Sequence, residues 1–295
     1  GTESFAREFA AALGIAGESG PANHRIRFIG FPAGSAEPAR VALKIDQNES
    51  RFTAPKPPPV FGFPGHVPGD RPDARDVILV LRPAASRRAR TEQMRRSLLP
   101  VYRRAVLSGG LPFHAALIEH GGRGVLLAGP SGAGKSTACR RLPYPWRALA
   151  DDLCLAVPDV SVGYRVHPLP TWSAFREDGV SGACRSGLSV PLRALFFIEQ
   201  FDDDECRDLK KSTAAISLAA SAVQVFRSID VNGLDGEDAT VRKGLYANAA
   251  STALQVPSYL LRLSLHGRFW EKIEEVLENG DSPLFRCETG EQKTA

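Results

Sequence analysis

The sequence predicts a protein of mixed α/β class, in which a smaller α+β region precedes a larger α/β domain. Its 295 residues exceed the usual size of a single domain. Segments typical of strands and of helices alternate along the C-terminal part, which is the order found in α/β domains. We therefore predict an N-terminal region over residues 1–105, the α/β domain over 106–280 and a tail over 281–295.

The composition is that of a globular protein with a sizeable core. Hydrophobic residues make up 43% and charged residues 24% of the chain. A net charge of +4 is too weakly basic to indicate a nucleic-acid partner. The five cysteines include no Cys-x-x-Cys pair, which argues against a disulfide framework and a zinc site. No apolar run approaches the roughly 20 residues of a membrane span, so we expect a cytoplasmic protein without a membrane partner.

The N-terminal region shows one helical and three strand-like patterns. Apolar residues spaced by four predict a helix over residues 4–13. The segment 54–72 contains seven prolines and three glycines, so it is predicted to form no regular element. It is interpreted as a surface loop, with a proline-rich ligand for a partner as the alternative. The predicted strands are residues 25–31, 42–45 and 77–81.

A run of arginines overlaps a predicted helix that extends to about residue 107. Seven arginines lie within residues 87–104. The usual interpretation of such a run is a solvated helix face. A docking surface for an acidic peptide or a polyphosphate is the alternative.

The larger domain is predicted to begin with a hairpin, because glycines at 121 and 122 separate two apolar segments. Helix, strand and helix patterns then follow. The predicted strands are residues 115–119, 124–128, 148–157, 164–166, 192–198 and 259–265, and the predicted helices are residues 135–141, 241–254 and 268–277.

The most specific motif lies between the second strand of the hairpin and the next helix. It consists of Gly129, Pro130, Ser131, Gly132, Ala133, Gly134, Lys135 and Ser136, followed by Thr137. The glycines permit a turn whose backbone N–H groups face an anion at the start of a helix. Lys135 supplies a cation for the β and γ phosphates, and the hydroxyl of Ser136 can coordinate Mg²⁺. The motif therefore predicts a site for ATP or another nucleoside triphosphate with Mg²⁺; an ordinary strand-to-helix turn is the alternative.

Two adjacent carboxylates, Asp151 and Asp152, follow closely behind this motif within the predicted strand 148–157. One carboxylate can hold Mg²⁺ and the other can accept the proton of an attacking hydroxyl. His114 begins the hairpin, which returns it to the neighbourhood of the motif. A core or surface role is the alternative for His114, and two solvated turn residues are the alternative for the aspartates.

Further candidates are less specific. Arg193 and Arg242 could neutralise phosphate charge. Prolines stiffen a polar segment that could form the rim of a peptide site or an ordinary loop. Its residues are His167, Thr171, Trp172, Ser173 and Arg176.

Residues 114–137, together with the Leu-Ala-Asp-Asp of residues 149–152, resemble the core of HPr kinase/phosphorylase. The resemblance implies a P-loop domain of the fold shared with phosphoenolpyruvate carboxykinase. It also implies a kinase that uses ATP and Mg²⁺. Carried over, the base is Asp151, assisted by His114, and the metal ligands are Ser136 and Asp152. The roles of the two aspartates can be exchanged. The further acidic metal ligand of that family has three candidates here, Glu177, Asp178 and Glu199.

A wider stretch, residues 98–200, resembles the ScmC-type proteins of SynChlorMet peptide cassettes. It contains Ser-Gly-Gly-Leu-Pro-Phe-His from residue 108 and Val-Pro-Leu-Arg-Ala-Leu-Phe-Phe-Ile-Glu-Gln from residue 190. This resemblance implies a pathway that modifies a ribosomal peptide, with radical-SAM and PqqD-like partners. The HPr-binding signature is not found after Glu199, so HPr is not the expected acceptor. Assembly of identical copies remains open.

These inferences converge on a Mg²⁺-dependent kinase that phosphorylates a serine hydroxyl of a precursor peptide or small protein, with Asp151, His114 and Lys135 as catalytic residues. Two alternatives remain. One is a nucleotide-binding scaffold of a radical-SAM peptide-modifying system, without turnover. The other is a small-molecule kinase.

Overall fold

The computed structural model describes residues 86–170, 188–229 and 239–280 in full, and the backbone of four strands before them. The predicted helix over residues 4–13 and the tail beyond residue 280 lie outside the described residues. Among the described helices, none is long and apolar enough to cross a membrane.

The four N-terminal strands form one mixed sheet in the order β2-β1-β4-β3. β1 pairs with β2 in antiparallel fashion and with β4 in parallel, and β3 pairs with β4 in parallel. The three predicted strands are confirmed. The prediction that residues 54–72 contain no regular element is wrong at one point, because the two residues of β3 lie within it. The strands are β1 (His24–Gly30), β2 (Ala39–Ile45), β3 (Val60–Phe61) and β4 (Val77–Leu81).

The rest of the chain alternates helices and strands, as predicted. The helices are α1 (Arg87–Arg96), α2 (Leu99–Leu107), α3 (Lys135–Arg141), α4 (Lys211–Ile229), α5 (Ala239–Gln255) and α6 (Phe269–Gly280). The strands are β5 (Leu111–His120), β6 (Arg123–Ala128), β7 (Arg147–Ala150), β8 (Leu153–Asp159), β9 (Gly163–Pro168), β10 (Val190–Gln200), β11 (Glu205–Asp208) and β12 (Ser258–Leu263).

These strands form a mixed, mostly antiparallel sheet of eight strands in the order β11-β12-β10-β6-β5-β8-β9, with β7 also on β5. The parallel pairings of this sheet, within the described residues, are β6 with β10 and β10 with β12. The predicted hairpin of β5 and β6 is confirmed. β10 also pairs with β9, so part of the sheet closes on itself.

Helices cover both faces of this sheet. Successive side chains of each strand point to opposite faces, so they belong to two separate cores. In β5, Leu117 faces a core shared with α1, α2, α4 and α5, whereas Ile118 faces a second core shared with α3 and α6. Met94, Leu98 and Tyr102 belong to the first core. Packing of this layer therefore includes α1, which precedes the predicted boundary at residue 106, and α2, which spans it.

The arginine-rich segment forms two helices, not one. The side chain of Ser86 caps α1, and α2 has a proline in its first turn. Glu92 accepts hydrogen bonds from Arg95 and Arg96 on the same helix. These two arginines are thus part of the local charge balance of α1.

Candidate active site

The candidate site lies where the three parallel strands end. Loops that follow the carboxyl ends of parallel strands meet at one edge of a sheet, where ligands commonly bind. The glycine loop, residues 129–136, follows β6 and leads into α3. The last side chains of β10 and β12, Gln200 and Leu263, lie against the same loop.

The backbone of the glycine loop depends on its glycines. Gly132 and Gly134 have φ angles of 83° and 105°, which side chains with a Cβ rarely adopt. Gly129 has an ordinary φ but little room, because a Cβ there would lie 3.1 Å from the carbonyl oxygen of Ile198. The amide nitrogen of the Gln200 side chain donates to the carbonyl of Gly132 over 2.7 Å. The end of β10 therefore supports the loop, a contact that sequence reasoning missed.

Lys135 is the cation of the loop and is 7% exposed. Its ammonium group donates to the carbonyls of Gly129 and Pro130 over 2.8 and 3.0 Å. Burial lowers its pKa from the ordinary value, and the negative charge of Asp152 acts in the opposite direction. Lys135 thus folds back onto the loop and lies in the field of Asp152.

The acidic pair lies between β7 and β8. We predicted a continuous strand over residues 148–157; the structure instead has two strands that pair with the same edge of β5, separated at Asp151 and Asp152. The break leaves both carboxylates partly exposed beside α3. This difference matters because carboxylates within a regular strand would alternate between its two faces.

The two aspartates have different neighbours. Oδ1 of Asp152 lies 3.1 Å from Nδ1 of His114, within hydrogen-bond distance. Asp151 lies beside the thiol of Cys139, where burial and this negative charge raise the pKa of the thiol to about 12. The resemblance first paired His114 with Asp151, and the structure instead joins it to Asp152. The exchange of aspartate roles is therefore the arrangement that this geometry favours.

The backbone of His114 is held by α4, which covers the face of the sheet opposite to α3. The hydroxyl of Ser221, in α4, accepts from the N–H of His114 over 3.0 Å and lies 3.4 Å from its carbonyl oxygen. Pairing of β5 with β6 begins only at Ala115, so Ser221 takes the place of a partner on that edge of β5, whereas Leu153 of β8 lies opposite His114 on the other edge. Neither α4 nor this contact was predicted.

The remaining predicted residues are spread out. Ser131 is exposed, Ala133 is buried, and Ser136 and Thr137 are half-buried beside Lys135. His167 lies in β9 opposite Leu155. The rest of its cluster falls outside the described residues, as do Glu177 and Asp178.

Three other candidates lie on β10 and α5. Glu199 is ion-paired with Arg262 over 2.7 Å. Arg193 lies at a bulge of β10 near Gly124, at the beginning of β6, whereas the glycine loop follows its end. Arg242 lies in the first turns of α5.

A metal site made of protein side chains alone is absent from the described residues, where no three His, Cys, Asp or Glu side chains are grouped to hold a metal. The predicted Mg²⁺ site is of another kind, because it combines the hydroxyl of Ser136 with one carboxylate of the acidic pair. Mg²⁺ bound with a nucleotide ordinarily takes one or two carboxylates and completes its shell with phosphates and water. The residues present fit that pattern.

Comparison with known proteins gives one family. Residues 77–278 match the family described as SynChlorMet cassette protein ScmC, and no curated protein matches the chain. The matched segment extends from β4 to α6 and contains the glycine loop, the acidic pair and His114. Since it covers well over half of the sequence, this chain belongs to the SynChlorMet cassette protein ScmC family.

Proposed function

We propose that this protein is a Mg²⁺-dependent kinase that transfers the γ-phosphoryl group of ATP to a serine or threonine hydroxyl of a peptide or small protein. One observation carries the proposal: a glycine loop with a buried lysine lies beside a carboxylate that contacts a histidine. The first element suits phosphate binding, and the second suits proton removal. The resemblance to HPr kinase/phosphorylase supports the same assignment.

Phosphate binding falls to the loop and to Lys135. The carbonyls of Gly129 and Pro130 hold the ammonium group at the loop, from which the flexible side chain can turn to the β and γ phosphates. Ser136 and Asp151 would hold Mg²⁺. When bound, the metal neutralises charge on the phosphate oxygens during transfer.

Proton removal falls to Asp152. Its carboxylate accepts the proton of the acceptor hydroxyl as the oxygen bonds to the γ phosphorus and the bond to the β-phosphate oxygen breaks, which releases ADP. With a proton on Nδ1, His114 donates to Oδ1 of Asp152 and orients the carboxylate. Ser221 fixes His114 from behind through its backbone.

A peptide acceptor is proposed from the family. The description of the family as a cassette protein fits a pathway in which a genetically encoded peptide is modified. Radical-SAM and PqqD-like proteins are the partners that the resemblance suggests. Phosphorylation of a serine would prepare such a peptide for later steps.

The test is intact-mass spectrometry of a panel of serine-containing peptides after incubation with protein, ATP and Mg²⁺. We expect a gain of one phosphate, which Lys135→Ala abolishes. Lys272→Ala is the matched control, because Lys272 is a partly exposed lysine on α6 whose ion pair with Glu275 is local. ATP binding without any phosphorylated peptide would favour the scaffold alternative, and phosphorylation of a free amino acid or sugar would favour the small-molecule kinase.

A further inference from the structure

An exposed aromatic side chain, Phe201, lies beside the glycine loop and has no role in the chemistry above. It follows β10 directly, and 49% of its surface is exposed. Single exposed apolar residues are common on protein surfaces. Phe201 differs from such residues in its position and in what covers one face of its ring.

Phe201 is fixed against the loop by its neighbours. Gln200, the residue before it, donates to the carbonyl of Gly132 over 2.7 Å. The backbone N–H of Phe201 donates to the carbonyl of Leu263, at the end of β12, over 3.1 Å. A Cβ on Gly134 would lie 3.5 Å from the side chain of that same leucine. Phe201 therefore lies at the edge where the loop holds phosphates in the proposed function.

One face of the ring is covered by a guanidinium group. The Cζ atom of Arg262 lies 4.5 Å from the ring centroid, a cation–π contact. Arg262 is itself held by Glu199 over 2.7 Å and by Glu205 over 3.3 Å. Arg262 thus covers one face of the ring, and the exposed surface of Phe201 belongs to the other face and the edge.

The charges around Phe201 differ from those of the glycine loop. Asp202 and Asp203 follow Phe201 and are both exposed, so the end near Phe201 is acidic and disfavours a phosphate. The neighbouring loop, which Gln200 contacts at Gly132, carries the cation Lys135. A ligand that is anionic at one end and flat and uncharged at the other matches this arrangement.

We propose that Phe201, backed by Arg262, is the stacking surface for the base of the nucleoside triphosphate whose phosphates lie on the glycine loop. This inference rests on the proposed function. Bases stack on aromatic side chains with little dependence on sequence, because every base has a π-face. A purine, which has the larger face, is the ligand that this surface fits best.

The experiment compares two probes, ATP and inorganic tripolyphosphate, each with Mg²⁺, by isothermal titration calorimetry. Only ATP has a base. We expect Phe201→Ala to weaken ATP binding roughly ten-fold, the effect of losing one base stack, and to leave tripolyphosphate binding unchanged. Leu254→Ala is the control, because Leu254 is 62% exposed but precedes β12, whereas the site follows its end.

A second variant gains a signal instead of losing affinity. Phe201→Trp keeps an aromatic surface, so it should retain ATP binding, and ATP but not tripolyphosphate should quench the new indole fluorescence. Unchanged ATP binding by Phe201→Ala would overturn the inference, as would equal weakening of both probes. If the unmodified protein binds neither probe, the nucleotide site itself fails, and the inference fails with it. Binding of ATP without peptide phosphorylation would count against the kinase alone, because the stacking readouts need no turnover.

Discussion

Replacing Asp152 with asparagine tests which of the two adjacent carboxylates is the base. Asparagine keeps the shape of the side chain, but its amide cannot take a proton from a hydroxyl at neutral pH. Asp152 contacts His114 over 3.1 Å, whereas Asp151 lies beside Cys139. We therefore expect the transfer step to depend on Asp152.

The size of the effect follows from the position of Asp152. General base catalysis contributes about 10²- to 10⁴-fold to a rate, which corresponds to about 3–5 kcal/mol of activation free energy. We expect kcat of Asp152→Asn to fall within that range. Its side chain is 35% exposed, so the free energy of unfolding should change by less than about 1 kcal/mol. ATP affinity should be unchanged or slightly stronger, because a negative charge near the phosphates is lost.

The assay measures single-turnover phosphorylation of the peptide, with ATP affinity determined separately by calorimetry. Asp151→Asn makes the same chemical change one residue earlier and is the matched variant. It should raise the Mg²⁺ concentration required for half-maximal rate while retaining most of kcat at saturating Mg²⁺. The reasoning is refuted if Asp152→Asn keeps the original kcat and Asp151→Asn abolishes it, which would assign the base to Asp151.

Two further predictions concern residues outside the reacting groups. Ser221→Ala should lower kcat several-fold without a comparable change in KM for ATP, because it releases the backbone of His114. Ser221→Thr keeps a hydroxyl and should retain activity. Ser228→Ala, on the same helix, should have no effect on kcat. Glu119→Gln should reduce the free energy of unfolding by about 1–3 kcal/mol at pH 7, since buried Glu119 accepts from Arg147 over 2.6 Å. Burial would raise the pKa of Glu119, but Arg147 and a backbone N–H outweigh it and lower that pKa. The original protein should therefore exceed the glutamine variant in free energy of unfolding by the full amount above about pH 4.3, the pKa of Glu in the unfolded chain. This excess should decline as pH falls through the pKa of Glu119 in the folded protein. Denaturation experiments that show no such decline would contradict this account.

Features that depend on local signals could be predicted from the sequence. The turn between β5 and β6 was marked by two glycines, and the structure gives Gly121 and Gly122 φ angles of 58° and 78°, as a tight hairpin turn requires. The glycine loop and the start of α3 at Lys135 were likewise predicted to the residue. In both cases few residues other than glycine satisfy the backbone.

Helix α4 was missed for a physical reason. Its inward positions include Ala214, Ala219 and Ala222, whose small side chains contrast weakly with their neighbours. The apolar pattern every four residues is nevertheless present, with Ala214, Leu218 and Ala222 all buried. A search for small buried residues at helical spacing would have found it.

The contacts that define the candidate site could not be predicted, because they join distant segments. His114 meets Asp152 only through the pairing of β5 with β8, and no local pattern states that register. The support of Gly132 by Gln200 depends in the same way on the parallel pairing of β6 with β10. Sequence patterns therefore identified the reacting residues but not their partners.

The ladder of β5 has a consequence for how this family can vary in length. Ala150 lies opposite Leu117 and Leu153 lies opposite His114, so the acidic pair spans two positions without changing the register on β5; the register shifts only before it, between Ala148 and Ala150 of β7. A single residue inserted there would turn every side chain of β8 to the opposite face or force the chain to bulge. Natural sequences should thus rarely gain or lose a residue between these strands, and designed insertions belong elsewhere.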